Sequence, residues 1–201
     1  VPCEVVTDPI PLRDLEKLDT LTQTLIEMGA EGTQQKLLYA FGLHINPSMP
    51  DRSATSLRRY IQAFLLLQSW IIESSQIDVT RRFFTKYIDP FPQSYMELVL
   101  DPDYQPDTTQ LIDDYLKFNP TRNRALDMLP ILCELDNERV LNGVKKEERE
   151  LIKGRPAFHY RLPDCKINVP GWRVATSWNQ WVYVEKLACD GLLLNELIET
   201  W

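Results

Sequence analysis

Histidine and glycine are scarce in this chain, with two and seven copies respectively among 201 residues. No G-x-x-x-x-G-K-[ST] and no G-x-G-x-x-G occurs, so a bound nucleotide has to be held by side chains rather than by a glycine-rich backbone cradle. The absence of G-x-S-x-G and H-E-x-x-H excludes the nucleophile elbow and the helical zinc site that those patterns build. The four cysteines, Cys3, Cys133, Cys165 and Cys189, are widely scattered with no C-x-x-C spacing, which argues against a zinc knuckle or a disulfide framework and for reduced, partly buried thiols. The apolar run Ala63 to Leu67 is too short to span a bilayer, and no charged-then-apolar leader opens the chain. A cytoplasmic protein with no membrane partner is the expectation. Positive charge is also in deficit: 22 Lys and Arg face 29 Asp and Glu, for a net charge of −7. That balance disfavours non-specific binding to nucleic acid or an anionic membrane, and an anionic cofactor needs local arginines.

What remains is a globular composition, 44% hydrophobic and 10% aromatic, long enough for one substantial core, and a single domain over residues 1–201 is expected. Cys3 to Thr7 reads as a short strand closed by Asp8-Pro9-Ile10-Pro11, because proline cannot donate to a ladder. The chain thus begins in what looks like the middle of a strand, and an N-terminal part is expected upstream of Val1. Leu12, Leu15, Leu18, Leu21, Leu25 and Met28 recur at the helical period and predict an amphipathic helix over 12–28, stopped by Gly29. A strand over Ala40 to Asn46 follows, ended by Pro47 to Pro50. Asp51 or Ser53 caps a helix from Ala54 to Glu73, apolar around much of its circumference and so buried on more than one side. Short helices are predicted over 94–100 and 108–117, the second introduced by Pro106-Asp107. Helix resumes over 126–135, kinked by Pro130. Residues 137–153 read as charged and solvent-facing, 155–162 as a strand, 172–188 as a tryptophan-rich helix, and 192–201 as a last amphipathic turn or two. Few strands among many helices, without βαβ alternation, give the α+β class.

Two strands carry the candidate chemistry. Alternation puts His44 and Asn46 on one face with Leu43 and Ile45 on the other, and His159 and Arg161 opposite Phe158, Tyr160 and Leu162. Glu4, His44 and His159 could hold a divalent ion if their strands are neighbours. Taken alone, each histidine is more often a hydrogen-bonded core residue. Arg122, Arg124, Arg155 and Arg161 sit at loop or strand positions, where planar guanidinium groups match phosphate or carboxylate bidentately; ordinary pairing with this chain's carboxylates is the alternative. Arg81, Arg82, Phe83 and Phe84 form a basic aromatic stretch, for which the chain's acidity favours a structural role over base stacking.

The order Glu4-Val5-Val6-Thr7-Asp8-Pro9, amphipathic helix, Gly42-Leu43-His44-Ile45-Asn46, apolar helix, then Phe158-His159-Tyr160-Arg161 before a tryptophan-rich helix resembles the amidoligases. These belong to the carboxylate-amine ligase superfamily, which shares the glutamine synthetase catalytic fold. The resemblance implies a curved, mostly antiparallel sheet packed against helices, with its first strands upstream of Val1. It implies ATP and magnesium as cofactors and carboxylate and amine substrates, whether small molecule, peptide or protein. Glu4 matches the family's acidic metal ligand in an E-[IV]-[VT]-[ST]-x-P strand, and His44 matches the histidine near metal and phosphates in G-L-H-[VI]-[NH]. In the later E-F-R-like strand Arg161 matches the phosphate-binding arginine, while His159 stands where the family has an acid. By this resemblance His44 and Arg161 are catalytic, Arg122, Arg124, Asn46 and Arg161 bind nucleotide, and Glu4, His44 and His159 hold metal. The family's E-x-E strand has no counterpart, so the chain is expected to be a C-terminal part, inactive as it stands. A binding module derived from such a ligase, and a metal hydrolase using the two histidines, are the competing readings.

Overall fold

The computed structural model describes residues 4–32, 42–75 and 88–201. Cys3 of the predicted first strand, Ala40 and Phe41 of the second, and the Arg81-Arg82-Phe83-Phe84 stretch lie outside the described residues. The fold is α+β. After a 3₁₀ turn at Leu12–Asp14 come α1 (Glu16–Glu27), α2 (Ala54–Ser74), α3 (Gln93–Val99), α4 (Thr108–Phe118), β1 (Leu126–Asp127), α5 (Leu129–Leu135), α6 (Asn137–Gly143), α7 (Lys146–Arg149), β2 (His159–Tyr160), α8 (Val174–Cys189) and α9 (Gly191–Thr200). Among the described residues no helix is long and apolar enough to cross a membrane, and Cys133 and Cys189 are free thiols.

The long helix α2 starts where its polar prelude says it should. Ser53 Oγ accepts the Ser56 amide at 3.1 Å, while the Asp51 carboxylate accepts the Ser53 amide at 2.7 Å and the Ser56 hydroxyl at 2.6 Å. Orphan N–H groups of the first turn are thereby satisfied. Leu57, Ile61, Ala63, Phe64, Leu65 and Ile71 are buried along α2, and Trp181 of α8 lies in the same core. Asp190 accepts the Leu193 amide at 3.1 Å and so restarts the chain as α9. Asp107 does the same for α4 through the Gln110 amide at 2.8 Å.

β1 and β2 pair antiparallel, with Leu126 opposite Tyr160 and Asp127 opposite His159. Isolated antiparallel bridges Gly42↔Asp164, Ile45↔Tyr160 and Ser48↔Ala157 lay residues 42–48 along the other side of the β2 segment, and a parallel bridge joins Asp89 to Arg124. The β2 segment is therefore central, with a neighbour on each side. The regular ladder is much shorter than the predicted strands, and its punctuation explains why: Pro47, Pro50, Pro156 and Pro163 have no N–H to donate and interrupt pairing on both partners.

Three predicted elements differ. Glu4 to Thr7 form no strand and are exposed, since alternation without a neighbouring edge to pair with leaves the backbone to water. Residues 126–135 are not one kinked helix but β1 followed by α5, with Pro130 in the first turn of α5 rather than mid-helix. There its missing N–H costs nothing, and Asp127 Oδ1 accepts the Leu129 amide at 3.0 Å just ahead of it. Residues 137–153 are not wholly solvent-facing, because Val140, Val144 and Ile152 are buried. The predicted helix over 12–28 is present as the 3₁₀ turn plus α1, but none of its residues is fully buried.

Truncating Leu65, 3% exposed within the core, is expected to destabilise by roughly 2–5 kcal/mol as other large core truncations do; the thermal midpoint of Leu65→Ala checks this. At the helix cap, hydrogen bonds from the Ser53 hydroxyl, the Ser56 hydroxyl and the Ser53 amide hold the Asp51 carboxyl below its ordinary 3.8. A lowered folded pKa stabilises above the ordinary value and is lost as pH falls through the folded one. Asp51→Asn is expected to flatten that acid limb, with a small amplitude because the group is exposed. Urea denaturation across pH 2 to 5 in both proteins is the measurement.

Candidate functional site

The site grows out of the two faces of β2. On one face Phe158 stacks on Tyr60 with centroids 4.7 Å apart and meets Trp181 at 5.3 Å, while Tyr160 meets Trp181 at 5.7 Å and Phe64 at 5.9 Å. These contacts fix the phase of the strand, so His159 faces the other way, as alternation requires. On that side Asp127, its in-register partner, is fully buried, and its Oδ2 lies 3.4 Å from His159 Nδ1. The His44 ring stands edge-on to the His159 ring, with centroids 5.2 Å apart. Arg122 Nε lies 3.9 Å from the same Asp127 Oδ2.

Beside this group is a small cleft. Asn46, Arg122, Lys153, Arg155 and His159 contribute its polar lining, and no carboxylate lines it among the described residues. Lys153 and Arg155 are exposed and flank Gly154. A Cβ at Gly154 would stand 3.2 Å from the Glu134 amide nitrogen, so glycine lets this segment lie against the end of α5. The Arg155 amide donates to the Pro130 carbonyl at 3.0 Å, fixing the same segment at the other end of α5. Three long cations therefore reach one opening from two separate loops.

The structure brings His44, Asn46, His159 and Arg122 together. Glu4 is exposed, and no group of three or more His, Cys, Asp or Glu disposed to hold a metal ion occurs among the described residues. The chemistry of the donors agrees with that geometry: magnesium takes oxygens, whereas the pair gathered here offers imidazole, and Asp127 is already engaged by Leu129, His159 and Arg122. The set Glu4, His44 and His159 does not fit a resident magnesium. Arg161 is buried, its Nη1 donates to the Arg122 carbonyl, and its amide donates to the Ala125 carbonyl at 2.9 Å. Arg124 is turned into the protein: Nε donates to Asn119 Oδ1 at 2.8 Å, Nη1 to the Pro90 carbonyl at 2.7 Å, and Nη2 to the Phe118 carbonyl at 3.3 Å. Of the four arginines singled out in sequence, Arg122 and Arg155 line the cleft.

Two residues escaped the sequence reading. Asp127 was hidden by the helical reading of 126–135, although it is the one carboxylate within the apolar run Ala125 to Leu132, itself a signal of a buried charge with a task. Lys153 was absorbed into a charged stretch; its alternation with Arg155 around Gly154 was the available cue.

A family model described as "Putative amidoligase enzyme" matches residues 1–183. No curated protein and no solved structure matches the chain.

Removing the Arg124 side chain strands three internal acceptors, so Arg124→Ala is expected to cost about 3 kcal/mol or more of stability. Arg155→Ala, at an exposed position, is expected to stay within about 0.5 kcal/mol. Urea denaturation of the two variants side by side separates the structural arginine from the cleft arginine.

Proposed function

The chain belongs to the amidoligase family, and from that premise we propose that it is an ATP-dependent ligase joining a carboxylate to an amine, as an amide or isopeptide, with the phosphates and the carboxylate held in the cationic cleft. The observation that carries this reading is the cleft's lining: Arg122, Lys153 and Arg155, with no carboxylate among the described residues, in a chain whose net charge is −7. An anion approaching such a protein is repelled overall and attracted at this place. Guanidinium groups match phosphate and carboxylate oxygens bidentately, and the lysine adds a point charge.

Joining a carboxylate to an amine is uphill in water, and ATP supplies the drive by converting the carboxylate to an acyl phosphate, which the amine opens with release of phosphate. The chain's contribution is to hold like charges side by side. Arg122 and Arg155 offset the repulsion between carboxylate and phosphate, which is where preorganised donors act most strongly. Asn46 borders the same opening from the 42–48 segment, His44 of that segment meets the ring of His159 in the lining, and Arg161 acts through Arg122 by bracing its carbonyl. Arg124, committed inside the fold, has no part in this reading. Magnesium enters with the nucleotide as the counter-ion of its phosphates, a usual mode for this ion, and no residue is assigned to it. We assign the three extended segments 42–48, 157–164 and 124–127, with their aromatic face on helices, to the curved sheet of a glutamine synthetase-like catalytic fold. This is supported by their antiparallel order.

A second reading, an anion-binding module derived from such a ligase, is favoured by His159 standing where the family pattern has an acid. It shares the cleft and differs in turnover.

ADP release coupled to amide formation, followed over panels of carboxylates and amines, is the test. Under the ligase reading Arg122→Lys keeps the charge, loses the fork, and is expected to lower turnover by about 10²-fold with an unchanged circular dichroism spectrum. Amide formation without ATP would remove the ligase reading. Saturable tripolyphosphate binding with no turnover on any panel member would establish the binding module instead.

A further inference from the structure

Asp127 is sealed from solvent, yet only one of its oxygens has a purely structural duty. Oδ1 accepts the Leu129 amide at the start of α5, at 3.0 Å. Oδ2 is left to two side chains that line the cleft, His159 Nδ1 at 3.4 Å and Arg122 Nε at 3.9 Å. Asp127 itself does not line the cleft. A carboxylate can only accept, so a hydrogen bond across this contact requires the proton on the His159 nitrogen that faces it, which leaves a neutral ring its lone pair on Nε2. The His44 ring, edge-on to His159, packs against the imidazole from the neighbouring segment. For accepting the Leu129 amide alone, Asp127 would gain nothing from burial beside an imidazole, since an asparagine or serine oxygen accepts as well.

We propose that Asp127 is a positioning residue that holds His159 in the Nδ1–H tautomer, so that His159 Nε2 takes the proton of the attacking amine. This rests on the ligase reading. In the step, the amine nitrogen forms a bond to the acyl carbon, the carbon–oxygen bond to phosphate breaks, phosphate leaves with that electron pair, and the ammonium proton passes to Nε2. Arg122, facing the same Oδ2, is held at the phosphate side of the step by the same carboxylate. One buried group thereby orients the base and the cation together.

The test uses the full chain labelled with ¹⁵N. With two histidines in the sequence, the imidazole nitrogens of His159 are assigned against a His44→Gln variant, at a pH where both rings are neutral. Asp127→Asn must keep its amide oxygen on the Leu129 amide, which turns its NH₂ toward His159 Nδ1 and forces the Nε2–H tautomer. The expected result is a wild-type Nδ1–H signature, a switch to Nε2–H in Asp127→Asn, and a kcat lowered by about 10²-fold or more, as for a base held in the wrong tautomer, with KM for ATP within about threefold. An Nε2–H tautomer in the wild type overturns the proposal, and so decides it even if Asp127→Asn does not fold. A tautomer switch with unchanged kcat overturns the role of His159 as base. A wild type that makes no amide sinks the ligase reading and the base with it, while the spectra still decide whether Asp127 sets the tautomer.

Discussion

Tyr160 is hydrogen-bonded to Ile45 in both directions at 2.9 Å, stands opposite Leu126 on its other side, and presses its ring against Phe64 and Trp181. That double pairing and that packing hold a strand whose regular ladder is only two residues long. A one-residue slip would exchange its faces, putting His159 into the aromatic core and Tyr160 into water. Burying an imidazole in place of a ring of this size forfeits apolar burial worth a few kcal/mol and strands a polar group as well. The register is therefore set by the core, and the cleft inherits it. Burial raises the Tyr160 phenol far above its ordinary pKa, so the residue stays a neutral core side chain.

Cations are deployed in this protein by what their geometry can satisfy rather than by their position in the chain. Arg124 and Arg161 have adjacent environments in space and serve the backbone of the 118–124 loop, the first through the Asn119 side chain and the Phe118 carbonyl, the second through the Arg122 carbonyl. Their planar forks suit several acceptors at fixed angles, which an ammonium cannot serve together. The loop they brace carries Arg122 to the cleft. Lys153 and Arg155 reach it from an exposed segment, where long stems give reach at little cost in stability. Thus an acidic chain carries a cleft lined by Arg122, Lys153 and Arg155, and two internal arginines brace the loop that brings Arg122 to it.

Much of this was legible in sequence because local rules coincided with tertiary demands. The Asp51-x-Ser53 prelude, the apolar circumference of α2 and the alternation in Phe158 to Leu162 each state a local preference that the core also wants. Alternation puts His44 and His159 each on the polar face of its own strand, and with the two segments side by side their rings meet. The failures have equally specific causes. Ala125 to Leu135 is apolar at nearly every position, so periodicity cannot tell strand from helix there, and Pro130 marks a helix start as readily as a kink. Glu4 to Thr7 alternate like a strand, but a strand exists only against a partner. Arg122 and Arg124 differ by two positions in one loop, and nothing in their spacing says that one guanidinium turns inward and the other lines the cleft.

The cleft divides into two kinds of support. His159, Asp127 and His44 stand on paired extended segments backed by the aromatic core, where small displacements are costly and orientation is tightly held. Arg122, Lys153 and Arg155 stand on loops, with flexible side chains and partial exposure. Those supports match unequal demands. Attraction between a cation and a phosphate falls slowly with distance and tolerates adjustment, whereas proton transfer requires hydrogen-bond reach and the correct tautomer. A protein that bound anions without reacting them would need only the loop half. Under the ligase reading, the rigid half, with a buried carboxylate behind an imidazole, is what keeps the base within reach and in the correct tautomer.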